Sequence, residues 1–264
     1  MLPFSFYTRL CFYYYIYMKI EILVPESLNE ITLGQYQKFT KLNTEENEGS
    51  SFLIQKMIEI FCNLDLKDIA KIKYSSVQVI TEKLNSVFNS KTKLIDRFVL
   101  GDTTFGFIPN LDDMTLGEYI DLDTYFGDWD NMHKAMSVLY RPVTKEKNDL
   151  YNIEDYDGTK YSDVLKSMPL DVVLGSIVFF LSFKQRTIDN YPELFDGENT
   201  EQLDYSTERN FGTKWGWYQS IYGIGKGDIT KFDEITRMNL NECLMYLSFE
   251  KEKNELERKL IKNK

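Results

Sequence analysis

The chain has 264 residues, 43% of them apolar and 27% charged, with a formal net charge of −10. This is ordinary globular composition, and no Lys/Arg cluster offers the basic face on which phosphate binding relies, which argues against a nucleic-acid partner. Three widely spaced cysteines, Cys11, Cys62 and Cys243, match neither a disulfide framework nor zinc spacing, so they read as small buried hydrophobes in a reducing compartment.

Residues 1–17 are almost entirely aromatic and apolar, with Arg9 the one charge. The apolar run is too short to span a bilayer and lacks a small-residue cleavage site. Met18 starts an ordinary globular segment, so 1–17 is expected to be a non-native or flexible leader; an interfacial membrane anchor is the rival reading.

The dominant signal is self-similarity. Val24-Pro25 leads through Leu28 to Ile31-Thr32-Leu33-Gly34-Gln35-Tyr36, and Ile108-Pro109 leads through Leu111 to Met114-Thr115-Leu116-Gly117-Glu118-Tyr119. Thr32 and Thr115 are suited to N-capping, with Gln35 and Glu118 at capping-box spacing. Each motif therefore predicts an extended entry followed by a capped amphipathic helix. Ile54–Phe61 and Met132–Leu139 carry dense apolar faces and predict a second helix in each copy. A third unit, a short helical turn, a break and a longer helix, is predicted over 68–88, 163–181 and 234–247, with Pro169 at the second break. Arg97–Ile108 reads as a β-hairpin turning at Gly101-Asp102. Polar stretches at 43–51, 143–160 and 190–212 read as loops.

The resulting expectation is a mainly α protein, a diverged tandem helical repeat with two full copies and a partial third. Short β-hairpin or extended entries lead into the copies. Its segments are 18–97 (repeat 1), 98–195 (hairpin plus repeat 2) and 196–264 (partial repeat and charged C-terminal helix).

No reactive constellation is evident. His133, the single histidine, sits in an apolar helical pattern without a nucleophile partner, and no metal site or cofactor is expected. The acidic run Asp121, Asp123, Asp128 and Asp130 lacks calcium-loop register; N-capping by Asp128 or Asp130 is the simpler reading. Gly223-Ile224-Gly225-Lys226-Gly227 fails as a phosphate loop, since Gly227 stands where Ser or Thr is required, and reads as a helix C-cap. Trp215, Tyr218 and Tyr222 share a helical face expected to pack into the core. Trp217 falls off that face, and Trp129 lies on the acidic run. Together with Phe211 nearby, these aromatics supply the candidate partner-contact set Trp129, Trp215, Trp217 and Tyr218.

Two segments, Phe61–Phe88 and Tyr222–Phe249, each a short helix, a break and a longer helix, resemble the small helical tail assembly chaperones of tailed bacteriophages. The Thr115–Tyr119 segment is similar to virion-module proteins of phages infecting Bacteroides-type hosts. The resemblance implies no catalytic residues. It implies binding to a tape measure protein or other tail subunits before assembly, in the host cytoplasm; no nucleic-acid or membrane partner is expected. A virion structural component and an enzyme using carboxylates are the alternatives.

Overall fold

The computed structural model describes residues 22–148, 150–195 and 215–262. The leader, Cys11, Met18, Phe211 and most of the loop expected at 190–212 lie outside these.

The chain divides into two units, and the first Thr-Leu-Gly motif falls in a short segment, 29–40, that joins the larger unit while the residues on either side of it join the smaller. Among the described residues, unit 1 holds 22–28 and 41–90, and unit 2 holds 29–40 and everything from 91 on.

Unit 1 contains α2 (Ser51–Cys62), α3 (Leu66–Ile69) and α4 (Tyr74–Phe88). Ser50 caps α2 by accepting from the Leu53 amide at 3.1 Å, and Asn63 ends it in the left-handed region at φ 52°, a conformation Asn tolerates. The apolar faces of α2 and α4 supply its core, with Ile58 and Leu84 fully buried and Phe61 edge-on to Phe88 at 5.1 Å.

Among the described residues, unit 2 contains α1 (Leu33–Thr40), the sheet strands β1 (Arg97–Leu100), β2 (Thr103–Phe107), β3 (Tyr140–Lys147) and β4 (Leu150–Ile153), and further α-helices. These are α5 (Leu116–Tyr125), α6 (Met132–Leu139), α7 (Ser162–Leu165), α8 (Leu170–Asn190), α9 (Pro192–Phe195), α10 (Trp217–Ile224), α11 (Phe232–Thr236) and α12 (Leu240–Lys262). The four strands form one antiparallel sheet in the order β1-β2-β3-β4. The β1–β2 hairpin is the expected one, with Gly101 supplying φ 60° in its turn. Helices α5 and α6 follow β2, and the chain passes from α6 into β3 without a loop. Tyr140, at that junction, is fully buried and its hydroxyl donates to the Ile95 carbonyl at 2.7 Å.

The fold is therefore mixed α and β, which corrects the expectation of a mainly α tandem helical repeat. The stretch read as a loop at 143–160 contains most of a second hairpin, β3–β4. That hairpin separates α6 from α7, whereas α2 and α3 are separated only by Asn63, Leu64 and Asp65. The first copy is also divided: its Thr-Leu-Gly segment belongs to unit 2 and its later helices to unit 1. Pro142 and the run Lys145-Glu146-Lys147 hide β3 from a pattern search. Its distal half is exposed on both faces, so it lacks alternation, and a bulge between Val143 and Lys145 accommodates the irregularity.

Candidate functional site

The two Thr-Leu-Gly motifs are built alike. The Gln35 amide donates to Thr32 Oγ1 at 3.2 Å and the Thr32 amide to Gln35 Oε1 at 2.9 Å. Thr115 and Glu118 repeat the exchange at 3.2 and 2.7 Å. Both helix starts thus satisfy two otherwise unpartnered amides, as the spacing predicts.

Each motif also clasps a break between two other helices. Thr32 forms an antiparallel bridge with Pro169: the Leu33 amide donates to the Met168 carbonyl and the Leu170 amide to the Ile31 carbonyl, both at 2.8 Å. Thr115 does the same with Asn239: Leu116 donates to Met238 and Leu240 to Met114, both at 2.9 Å. The leucines of the bridges, Leu33, Leu116, Leu170 and Leu240, are all buried. Proline fits at 169 because, between the two bridge hydrogen bonds, that position donates none.

The clasps explain the glycines. The Gly34 amide donates to the Lys166 carbonyl at 2.7 Å, and a Cβ on Gly34 would stand 3.0 Å from that oxygen. A Cβ on Gly117 would stand 2.9 Å from the Thr236 carbonyl. Neither glycine needs a positive φ; each admits a neighbouring backbone.

Beside the second clasp lies a polar cleft of about 740 Å3, lined among others by Glu118, Arg141, Tyr156, Asp157, Asp233 and Arg237. Both carboxylate oxygens of Glu118 are engaged, one with Thr115 and the other with Arg141 Nη1 at 2.5 Å, in a buried ion pair. The Arg141 guanidinium lies 5.6 Å from the Tyr156 ring centre, and the Tyr156 hydroxyl donates to Asp121. Burial, and then the Asp121 carboxylate, push the Tyr156 phenol far up, so it stays protonated. Sequence reasoning missed Arg141 and Tyr156; the signal available was Glu118, a charged residue on a face that must pack.

His133 is buried, with Nδ1 3.1 Å from Gln37 Nε2. The Gln37 side chain also donates to the Trp129 carbonyl at 2.6 Å. Burial, reinforced by Lys166 and Lys134, lowers the His133 pKa and keeps the ring neutral. Burial pushes the Cys62 and Cys243 thiols up to about 11. Among the described residues no group of three or more His, Cys, Asp or Glu converges on a metal-sized site, and no helix is long and apolar enough to cross a membrane. Asp128 serves the turn before α6, accepting from the Asp130 amide at 2.9 Å and from Asn131 Nδ2 at 2.7 Å. The N-cap position itself belongs to Asn131, which corrects the assignment to Asp128 or Asp130.

The aromatic residues fall differently from expectation. Trp217 is the one that turns inward: its indole N–H donates to Asp123 Oδ2 at 3.0 Å and its ring meets Tyr119 edge-on at 5.6 Å. Trp215, Tyr218 and Tyr222 are 41%, 46% and 50% exposed, so the face assigned to the core is the outer one. Helix α10 starts only at Trp217, after Gly216 at φ 44°, so Trp215 does not share its helical phase, and the contacts of Trp217 with Asp123 and Tyr119 leave Tyr218 and Tyr222 on the outer side. Trp129 is half-buried against Tyr36, with ring centres 4.7 Å apart. Helix α10 closes as expected, with Gly227, at φ 84°, donating to the Tyr222 carbonyl at 2.9 Å.

Beside Trp217 a groove of about 640 Å3 runs between α9, α10 and α12, its lining mixed: Leu194, Phe195, Trp217, Leu244 and Leu247 on the apolar side, with Asp123, Gln219, Ser220 and Lys251 among them. No protein-family model, curated protein or solved structure matches this chain.

Proposed function

We propose that this chain is a non-catalytic protein-binding component of bacteriophage tail morphogenesis, an assembly chaperone acting in the host cytoplasm on a tape measure protein or another tail subunit. The observation that supports it is the groove between α9, α10 and α12, whose Leu194, Phe195, Trp217, Leu244 and Leu247 sit between polar Asp123, Gln219, Ser220 and Lys251, next to the exposed aromatics Trp215, Tyr218 and Tyr222. A groove of this kind suits the apolar face of a partner helix held until assembly. The net charge of −10 keeps such a complex soluble by repulsion between copies. The titratable groups that would serve catalysis are engaged elsewhere: Glu118 with Arg141 and Thr115, and Tyr156 with Asp121.

The test is co-expression with a candidate tape measure protein. The reading expects the partner to become more soluble and to co-purify, and expects Leu247→Lys, which replaces an apolar part of the groove wall by a further charge beside Lys251, to abolish both. Unchanged solubility with no co-purification refutes it. Stoichiometric presence of the chain in purified particles, measured by mass spectrometry, replaces it with a virion structural role.

A further inference from the structure

The helix break that a Thr-Leu-Gly motif closes twice in unit 2 has a third counterpart in unit 1. The α3–α4 break, Ala70–Tyr74, has the backbone of the clasped α7–α8 break. Lys73 lies at φ −64°, ψ 141° against −61°, 139° for Pro169, and Ala70 at −62°, −17° against −60°, −23° for Lys166. The sequences align through the same positions: Ile69, Leu165 and Ile235 are the buried anchors of the short helices, and Ile72-Lys73-Tyr74 stands where Met168-Pro169-Leu170 and Met238-Asn239-Leu240 stand.

What differs is the covering. Leu170 and Leu240 are 0% and 1% exposed beneath their Thr-Leu-Gly segments, whereas Tyr74 is 77% exposed. The groups that make both clasps are the amide of the first helical residue and the carbonyl two positions before it; in the first clasp the Lys166 carbonyl, four positions before, accepts as well. In unit 1 these are the Tyr74 amide and the Ile72 and Ala70 carbonyls, none of which makes a backbone hydrogen bond to another described residue. Both Thr-Leu-Gly segments of the chain are already engaged, at Pro169 and Asn239.

We propose that the α3–α4 break is a docking slot for an extended segment of another protein with the pattern acidic residue, aliphatic, Thr, Leu, Gly, Glu. The two internal clasps specify the aliphatic-Thr-Leu-Gly part: Leu at the bridge position that Leu33 and Leu116 hold, Gly to pass the Ala70 carbonyl as Gly34 passes that of Lys166, and two backbone hydrogen bonds from the bridge. Charge specifies the rest. The short helix and the break carry exposed Lys67, Lys71 and Lys73 against Asp65 and Asp68, and only Lys71 is ion-paired among the described residues, with Asp68. The engaged segment at Asp112–Glu118 is flanked by acids. This slot belongs to unit 1 and does not depend on the groove proposed above, so either can fail alone.

The experiment uses the full chain and a synthetic peptide of its own residues 108–122 as probe. Titration followed by hydrogen exchange is expected to show saturable binding and slowed exchange at Tyr74–Val77. A peptide with Gly117→Val is expected to bind at least tenfold more weakly. The decisive variant of the chain is Tyr74→Pro. Proline is favoured at the first position of a helix and the extended Lys73 suits the residue before it, so α4 is retained while the donor amide is removed. Loss of peptide binding with an unchanged thermal midpoint supports the slot. No saturable binding, protection confined to residues 31–34 or 166–170, or binding indifferent to Tyr74→Pro overturns it. Self-association of the chain that disappears in Tyr74→Pro, measured by light scattering, also overturns it, because the occupant is then a second copy.

Discussion

The Gly34 amide nitrogen lies 2.7 Å from the Lys166 carbonyl oxygen, and a Cβ on Gly34 would lie 3.0 Å from the same atom. A residue 132 positions away in sequence thus dictates the absence of a side chain at the start of a helix, where alanine would be the better helix former.

This gives a sign test. Gly117→Ala gains helix propensity of about 1 kcal/mol, but its Cβ would stand 2.9 Å from the Thr236 carbonyl. Overpacking against backbone costs about 1–3 kcal/mol, so the variant is expected to be net destabilised. Gly175→Ala, whose Cβ would stand 2.1 Å from the Lys93 carbonyl, should be worse. Gly223→Ala lies within α10 with nothing inside 4 Å and should stabilise by about 0.5–1 kcal/mol. Urea midpoints of the three variants check the order.

The Glu118–Arg141 pair gives a second. Glu118→Gln preserves the capping box, as Gln35 does at the other motif, but leaves a buried guanidinium without its counter-charge. Breaking one side of a buried pair costs about 3–5 kcal/mol. Glu118→Gln combined with Arg141→Met removes the stranded charge and should recover most of the loss. If the double variant is no more stable than the single one, the ion pair is not what holds this position.

His133 makes a pH prediction that the single histidine renders easy to read. Its folded pKa is lowered by burial, then by Lys166 and Lys134, while unfolded His titrates near 6.5. Above about 6.5 neither state binds the proton and the contribution is fully present. As the pH falls below that, the unfolded chain takes up a proton first and stability is lost until the folded pKa is reached. The imidazole NMR titration should fall below 6.5, and His133→Gln should lose less stability than the parent between neutral and mildly acidic pH. A midpoint at or above 6.5 contradicts the buried neutral ring.

Cys62 and Cys243 are buried thiols pushed up to about 11. In a Cys11→Ser background the folded chain should resist thiol reagents at pH 8, since the thiolate is the nucleophile. Both sites should react once urea unfolds it. Rapid labelling of either in the folded chain rules out the burial described.

Much of the local structure was legible in the residues themselves. The Thr-to-Gln and Thr-to-Glu spacing specified both capping boxes, Gly101-Asp102 specified the first hairpin turn, and the apolar periodicity of Met132–Leu139 specified a buried helix. These are interactions within a few residues, which is why a pattern carries them. What only the tertiary structure decided depends on distant partners. The β3–β4 hairpin is held by backbone pairing beneath a charged, proline-bearing sequence. Trp217 turned inward because Asp123 and Tyr119 wait for it, which no local periodicity encodes. The opening self-similarity had a different meaning from the tandem repeat it suggested. Thr-Leu-Gly recurs because the same helix break must be closed twice, and the glycine is there for a carbonyl more than a hundred residues along the chain.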